Sequence, residues 1–285
     1  MRAVDASHRI ITDLLASRTG QQLTESRRWR ISTALSGLFR ELGIENVDQL
    51  ACLLERPGER RLATRVVEAL LNNETYFFRD HAYFETLSRE VLPRLAATRS
   101  HSRRLRIWSA GCSTGQEVLS LAMLFEDDPQ TWQGWTIEIL GTDVSTRVID
   151  RARGACYSQF EIQRGISVTR MLEHFSEVPG GGWQAGDHLR RYCRFQQHSV
   201  LDHPPAPGQF DFVLCRNVLL YFDDATRGAA LDRIAGAIAA DGWLMLGSGE
   251  AITGQSDRFL PAACGSGLYC LDAARSTAGR RRKFA

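Results

Sequence analysis

The chain has 285 residues, with 35 basic against 33 acidic side chains and a net charge of +2, a balance that argues against a dedicated nucleic-acid coat. Its 44% hydrophobic and 24% charged residues exclude a disordered or collagen-like chain, and no apolar run approaches the ~18 residues of a membrane span. The opening MRAVDASHRIITDLLASR has acids among its apolar residues, so no signal-peptide core is expected there. Seven cysteines without a C-x-x-C predict reduced thiols, and seven histidines without H-x-x-x-H give no metal signal. Lys283, in the terminal RRRKFA, is the single lysine, so no lysine amine is available for catalysis.

Residues 1–75 read as helical. Ile10, Ile11, Leu14 and Leu15 recur at helical spacing. A second helix from Thr24 carries Trp29, Ile31, Leu35, Leu38, Phe39 and Leu42 as one stripe, with Gly43 as its C-cap. Asn46 is expected to cap VDQLACLLE, and a fourth helix follows from about Glu59 to Leu71. Asp80 is expected to cap HAYFETLSREVLPRLAAT. Beyond it, apolar runs alternate with helical patterns: LRIWSAG, TIEILGTD, FDFVLCRN, WLMLGSG and GLYCLD. This alternation predicts an α/β fold with a doubly wound, mostly parallel sheet over 76–273. Residues 156–194, with PGGGW and LRRYCRF, read as an inserted small β element, and 274–285 as a disordered tail.

Four segments carry chemistry. Gly111-Cys112-Ser113-Thr114-Gly115 lies between a strand and a helix, where glycines let a backbone approach a ligand. A hydrolase elbow would need strands before the serine and a late histidine, yet helices precede it and the last histidine is His203. The glycine spacing also misses the dinucleotide fingerprint. A nucleoside cofactor without pyrophosphate, or a plain turn, remains. Asp143, ending the second strand, suits a ribose diol or a helix cap, a task Ser145 could equally perform. Asn73-Glu74-Thr75-Tyr76-Phe77-Phe78-Arg79 is either a site segment or a linker with anchoring aromatics. Cys215-Arg216-Asn217-Val218-Leu219-Leu220-Tyr221-Phe222 brings Arg216, Asn217 and Tyr221 to the edge expected to hold Gly111 and Asp143.

Together with the late G-S-G-E (247–250), these motifs, in this order over about residues 5–272, make the chain resemble the chemotaxis receptor methyltransferases of the CheR family. The resemblance implies a Rossmann-like, class I S-adenosylmethionine-dependent methyltransferase fold behind an N-terminal all-helical domain, with an inserted β subdomain. It implies methyl transfer from S-adenosylmethionine, leaving S-adenosylhomocysteine, to glutamates in the cytoplasmic helices of chemoreceptors. By motif, Asn73, Thr75 and Arg79 border the methionine end, Glu117 holds the amino group and Asp143 the ribose. Gly111 belongs to the cofactor turn, Ser199 and Val200 lie near the adenine, Cys215 and Arg216 line the pocket, and Tyr221 faces the methyl group. Ser199 replaces the family's asparagine, with His198 beside it as a substitute, and the family's late G-H-S-E is Gly247-Ser248-Gly249-Glu250 here, its histidine lost from a loop assigned no chemistry.

Arg79 and Tyr221 are expected to position rather than to transfer protons, because a glutamate is already ionised at pH 7. No metal is expected. The arginines of the second helix, Arg27, Arg28, Arg30 and Arg40, suit an acidic receptor surface or a plain solvated face. The resemblance further implies a cytoplasmic monomer, free of nucleic acid and membrane insertion, with a receptor C-terminal tether as a candidate ligand of the β subdomain. The alternatives are a same-fold enzyme acting in a surface-sensing pathway and a non-catalytic scaffold.

Overall fold

A computed structural model describes residues 2–263, 265 and 267–272; Cys264 and the tail from 274, expected to be disordered, lie outside the described residues. Contacts divide the chain into a helical unit, 1–72 with 221–226, and an α/β unit formed by the rest.

In the helical unit, α1 (Arg2–Thr19) packs on α3 (Val47–Leu54) and α4 (Arg60–Leu70), and α2 (Trp29–Leu42) packs on α4. Apolar spacing sets the faces: Ile11 and Leu15 of α1, Ile31, Leu35, Leu38 and Phe39 of α2, and Leu62, Val66 and Leu70 of α4 are buried. Gly43 ends α2 in the left-handed conformation, donating its N–H to Arg40 and Phe39 carbonyls. Asn46 Oδ1 accepts from the Gln49 N–H at 3.0 Å, the expected cap. Trp29 departs from its expected stripe: it is 70% exposed. At about 100° per residue it lies roughly 200° from Ile31 around the helix, off the apolar face. Helix α2 also starts later than Thr24, after a 3₁₀ turn at Glu25–Arg27.

The α/β unit begins with α5 (His81–Thr86), a π turn at Leu87–Val91 and α6 (Leu92–Thr98). The wide turn precedes Pro93, whose ring would clash with the carbonyl of a regular preceding turn. Asp80 does not cap α5 as expected; its backbone is left-handed, with φ 58°, and its carboxylate turns to Arg216 at 2.8 Å.

Strand β1 (Arg104–Ala110), helix α7 (Gln116–Glu126), strand β2 (Thr136–Asp143) and helix α8 (Thr146–Gly154) follow. The inserted element comprises β3 (Cys156–Tyr157), α9 (Gln159–Gln163), α10 (Val168–His174), β4 (Phe175–Glu177) and β5 (Trp183–Ala185), its strands in the order β3-β5-β4. After α11 (Asp187–Arg190), β6 (Cys193–Gln197) pairs parallel with β2. The LRRYCRF segment therefore ends in the main sheet, not in the insert. Strand β7 (Phe210–Cys215), helix α12 (Asp224–Ala237) and strands β8 (Ile238–Leu246), β9 (Phe259–Pro261) and β10 (Leu268–Leu271) complete the chain order. The seven strands run β6-β2-β1-β7-β8-β10-β9, with β10 antiparallel to β8 and β9. All six residues of β7 are buried, as a central parallel strand requires. Because β1 pairs with both β2 and β7, the order reverses at β1/β7, and the crevice beyond their carboxyl ends is the natural ligand position.

Candidate active site

Gly111, at φ 87°, opens the turn after β1 and donates its N–H to the Thr142 carbonyl at 2.7 Å. A side chain at Gly111 would run into Val218, so glycine is required both by backbone conformation and by packing of the two loops. Ser113 is also left-handed, at φ 50°, and its Oγ donates to the Asn73 carbonyl at 2.7 Å. Phe78, Asp80 and Asn217 have positive φ too, so left-handed backbone gathers in the segments that meet this sheet edge.

Asp143 receives the Ser113 N–H on Oδ2 and the Ser145 N–H on Oδ1, both at 3.0 Å. Helix α8 is capped by Ser145 instead, whose Oγ accepts from the Val148 N–H at 3.3 Å. Asp143 thus ties the glycine turn to the end of β2 while its half-buried carboxylate faces the same edge.

Arg216 is the hub. Its side chain is only 1% exposed, and it reaches Glu117 at 2.9 Å, Asp80 at 2.8 Å and the Arg79 carbonyl at 2.6 Å. Glu117 in turn accepts from Ser109 Oγ at 2.8 Å. The rings of Tyr83 and Phe84 lie 5.3 and 5.6 Å from the guanidinium. The buried guanidinium is paired with two carboxylates through its Nη atoms, while its Nε has no hydrogen-bond partner among the described residues, and removing either carboxylate would weaken the compensation of a buried charge. Cys215 beside it and Cys112 in the glycine turn are both buried, and burial pushes both thiols up.

The segment 73–79 is held by its aromatics. Phe77 is wholly buried, its ring edge-on to Tyr157 and Phe175 at 5.1 and 5.5 Å. The Phe78 ring packs on Phe84, and its N–H donates to Ser120 Oγ at 3.0 Å. Gly165 of the insert lies against the Phe77 carbonyl, with no room for a Cβ. Arg79 spends one nitrogen on the Glu74 carbonyl at 2.9 Å, and its guanidinium lies 5.6 Å from the Tyr76 ring. Glu74 bonds Arg164 at 2.8 Å, which holds its carboxyl below the usual range. Asn73 and Thr75 line a cleft of about 300 Å³ with Gln116 and Arg151.

Ser199 lies in a turn after β6, its N–H on Asp202 at 3.3 Å, and Val200 is buried. His198 donates its backbone N–H to the Asp143 carbonyl at 2.9 Å, and burial lowers its imidazole pKa. Tyr221 belongs to the helical unit, where its hydroxyl accepts from the Asn72 amide and its carbonyl from the Gln22 N–H at 2.7 Å.

One residue passed over in the sequence is central. Glu250, in the loop assigned no chemistry, accepts four backbone N–H groups: Asn217 at 2.7, Val218 and Gly247 at 2.9, and Leu220 at 3.1 Å. It fixes the loop after β7. The signal available was a carboxylate closing a Gly-Ser-Gly run, which marks a loop of otherwise unsatisfied N–H donors.

A glycine turn after β1, an acid ending β2 and a polar loop after β7, gathered at one switch point, define an S-adenosylmethionine-dependent methyltransferase. Comparison with known proteins agrees. The family model described as "CheR methyltransferase, SAM binding domain" matches residues 73–267. A chemotaxis protein methyltransferase 1 of Pseudomonas aeruginosa is 33% identical over 273 residues, spanning 94% of this chain and 98% of that protein. A chemotaxis protein methyltransferase of Vibrio parahaemolyticus is 30% identical over 266 residues, spanning 93% of this chain and 96% of that protein. The chain belongs to the CheR methyltransferase family.

Proposed function

We propose that this enzyme esterifies glutamate side chains in the signalling helices of chemoreceptors, in the cytoplasm and as a monomer. The carrying observation is the convergence of the Gly111–Gly115 turn, Asp143, the Glu117–Arg216 pair and the Asn73–Arg79 segment at the carboxyl edge of one sheet. The names of its relatives supply the chemotaxis context.

The residues present suit the cofactor. Two shielded polar atoms at this edge, Asn217 Oδ1 and His198 Nε2, have no hydrogen-bond partner among the described residues. Unpaired buried polar atoms are costly and favour a polar ligand. In this reading Asp143 receives the ribose hydroxyls, Glu117 the amino group, and Gly111, Cys215, Arg216, Asn73 and Thr75 frame the pocket. His198 offers the adenine end the polar group that Ser199, engaged in its turn, does not. S-adenosylmethionine supplies a methyl group on a positively charged sulfur, reactive toward an anion.

The chain's own task is orientation. A glutamate carboxylate is ionised at pH 7, so no base has to remove a proton. Arg79, with guanidinium nitrogens beyond the one on Glu74, aligns the acceptor, and Tyr221 positions through its hydroxyl. A tight salt bridge to the acceptor would hinder attack, because its charge disperses on the way to the ester. Orientation and water exclusion are worth up to roughly 7–11 kcal/mol. Arg27 and Arg28 just before α2, with Arg30 and Arg40 in it, suit the acidic receptor, and the three-stranded insert is a candidate seat for a receptor tether.

The test is transfer of labelled methyl from S-adenosylmethionine to membranes bearing each candidate receptor. Label released as methanol by mild alkali and mapped to glutamates supports the reading. Alkali-stable label, or label on other side chains, contradicts it.

A further inference from the structure

Away from the carboxyl edge, beside the outer strand β6, lies a cleft of about 450 Å³ lined by four arginines, 153, 190, 191 and 194, against one carboxylate, Asp187. Leu119 and Ala152 lie wholly buried beneath it, and the half-buried Phe195 ring is the apolar surface it presents. The volume falls in the range of small-molecule sites.

The four arginines divide into two kinds. Arg153 and Arg191 are committed to the protein. Arg153 bonds the Phe195 carbonyl at 3.1 Å and Asp150 at 3.0 Å, and Arg191 bonds Glu126 at 2.6 Å and the Tyr192 hydroxyl at 2.8 Å. They frame the cleft, and Arg153 caps a carbonyl of the edge strand β6.

Arg190 and Arg194 are not so committed. Among the described residues Arg194 bonds through Nη1 alone, on the Arg191 and Cys193 carbonyls at 3.3 and 2.8 Å. Among the described residues Arg190 makes a single bond, to Asp187 at 3.2 Å, and that carboxylate is 97% exposed. A surface pair of this kind is worth little and is easily exchanged. Both guanidiniums project their field onto the cleft floor, where they oppose the rise that burial imposes on the Cys193 thiol, pushed up to about 12. Two planar donor forks beside an aromatic ring match a phosphate carried on an organic group.

We propose that this cleft binds a phosphorylated small molecule of nucleoside-phosphate size, its phosphate on Arg190 and Arg194 and its flat organic part against the Phe195 ring. The site is separate from the methyl-transfer edge in its charged groups: its arginines bond Asp187, Glu126, Asp150 and backbone carbonyls, while the Phe195 ring reaches as far as Gly115 of the glycine turn.

Calorimetric titration tests this with protein saturated by S-adenosylhomocysteine, so that a nucleoside cannot report from the cofactor site. The probes are adenosine 5′-monophosphate and inorganic pyrophosphate. Both should bind with Kd below about 1 mM, the nucleotide more tightly because only it reaches the Phe195 ring. The double variant Arg190→Gln, Arg194→Gln should lose at least tenfold in affinity for both probes. Its affinity for S-adenosylhomocysteine, measured separately, should be unchanged, which also shows that the variant folds. Absence of binding, equal affinity for the two probes, or binding unaffected by the double variant would overturn the proposal.

Discussion

At the residue scale, Asp143 and Glu250 show how a carboxylate organises a loop of backbone donors. Asp143 was expected to serve either ribose or helix cap, and the cap fell to Ser145. Its oxygens accept the backbone N–H groups of Ser113 and Ser145. Asp143→Ala should weaken S-adenosylhomocysteine binding at least tenfold, since charge-assisted bonds are worth about 1.5–3 kcal/mol each. It should also lower the melting temperature of the free protein, because the Ser113 and Ser145 N–H groups lose their acceptor. Calorimetry and thermal melting read the two effects separately, and unchanged affinity would leave Asp143 as a loop anchor alone. Glu250→Gln keeps one acceptor oxygen in place of two. Losing charge-assisted bonds worth about 2–3 kcal/mol in sum should lower Tm by roughly 4–10 °C. A shift within the error of the melting curve would contradict the role given to Glu250 in holding the loop after β7.

At the scale of elements, the insert and the segment 73–79 support each other through Phe77, Tyr157 and Phe175. The aromatic pair in N-E-T-Y-F-F-R was legible as an anchor, and the alternation of strand and helix announced the parallel sheet. The assignment of LRRYCRF was not legible, because β6 is a short run on a sheet edge with one partner, and nothing local distinguishes it from an insert strand. Helices α10 and α11 meet through a histidine pair, His174 Nδ1 and His188 Nε2, 3.0 Å apart. His174 is buried and its pKa is lowered, first by desolvation and further by His188, while Glu173, Asp127 and Glu126 act in the opposite sense. A histidine depressed in the folded state binds fewer protons there than in the unfolded chain. Its contribution is therefore present above the unfolded value of ~6.5 and is lost as pH falls below it. Hydrogen exchange in 174–188, corrected for intrinsic rates, should accelerate between about pH 7 and 5 relative to β1. His174→Gln should flatten that dependence. Equal acceleration in β1, or none in 174–188, would contradict it.

At the scale of the whole molecule, the switch point at β1/β7 explains why residues far apart in sequence act together. Arg216 and Glu117 are 99 positions apart, and Glu250 reaches Asn217 across 33. The sequence marked Arg216 as a site residue but not as a buried hub, because its partners are set by strand order, which pattern reading does not determine. Trp29 shows the reverse error, an apolar residue counted toward a core stripe that the helix turns toward solvent.

The central claim is that the methyl group passes to a carboxylate that is already ionised, with the chain supplying orientation and no proton transfer. The most direct test is the pH dependence of kcat/KM for a glutamate-bearing receptor fragment, for the wild type and for Tyr221→Phe. The account predicts no rising limb between about pH 6 and 8. It predicts a loss of about 1–2 kcal/mol, roughly ten- to thirtyfold, on removing the hydroxyl that accepts from Asn72. A rising limb of unit slope, with a Tyr221→Phe enzyme inactive at pH 7 and restored at high pH, would show proton abstraction and contradict the account.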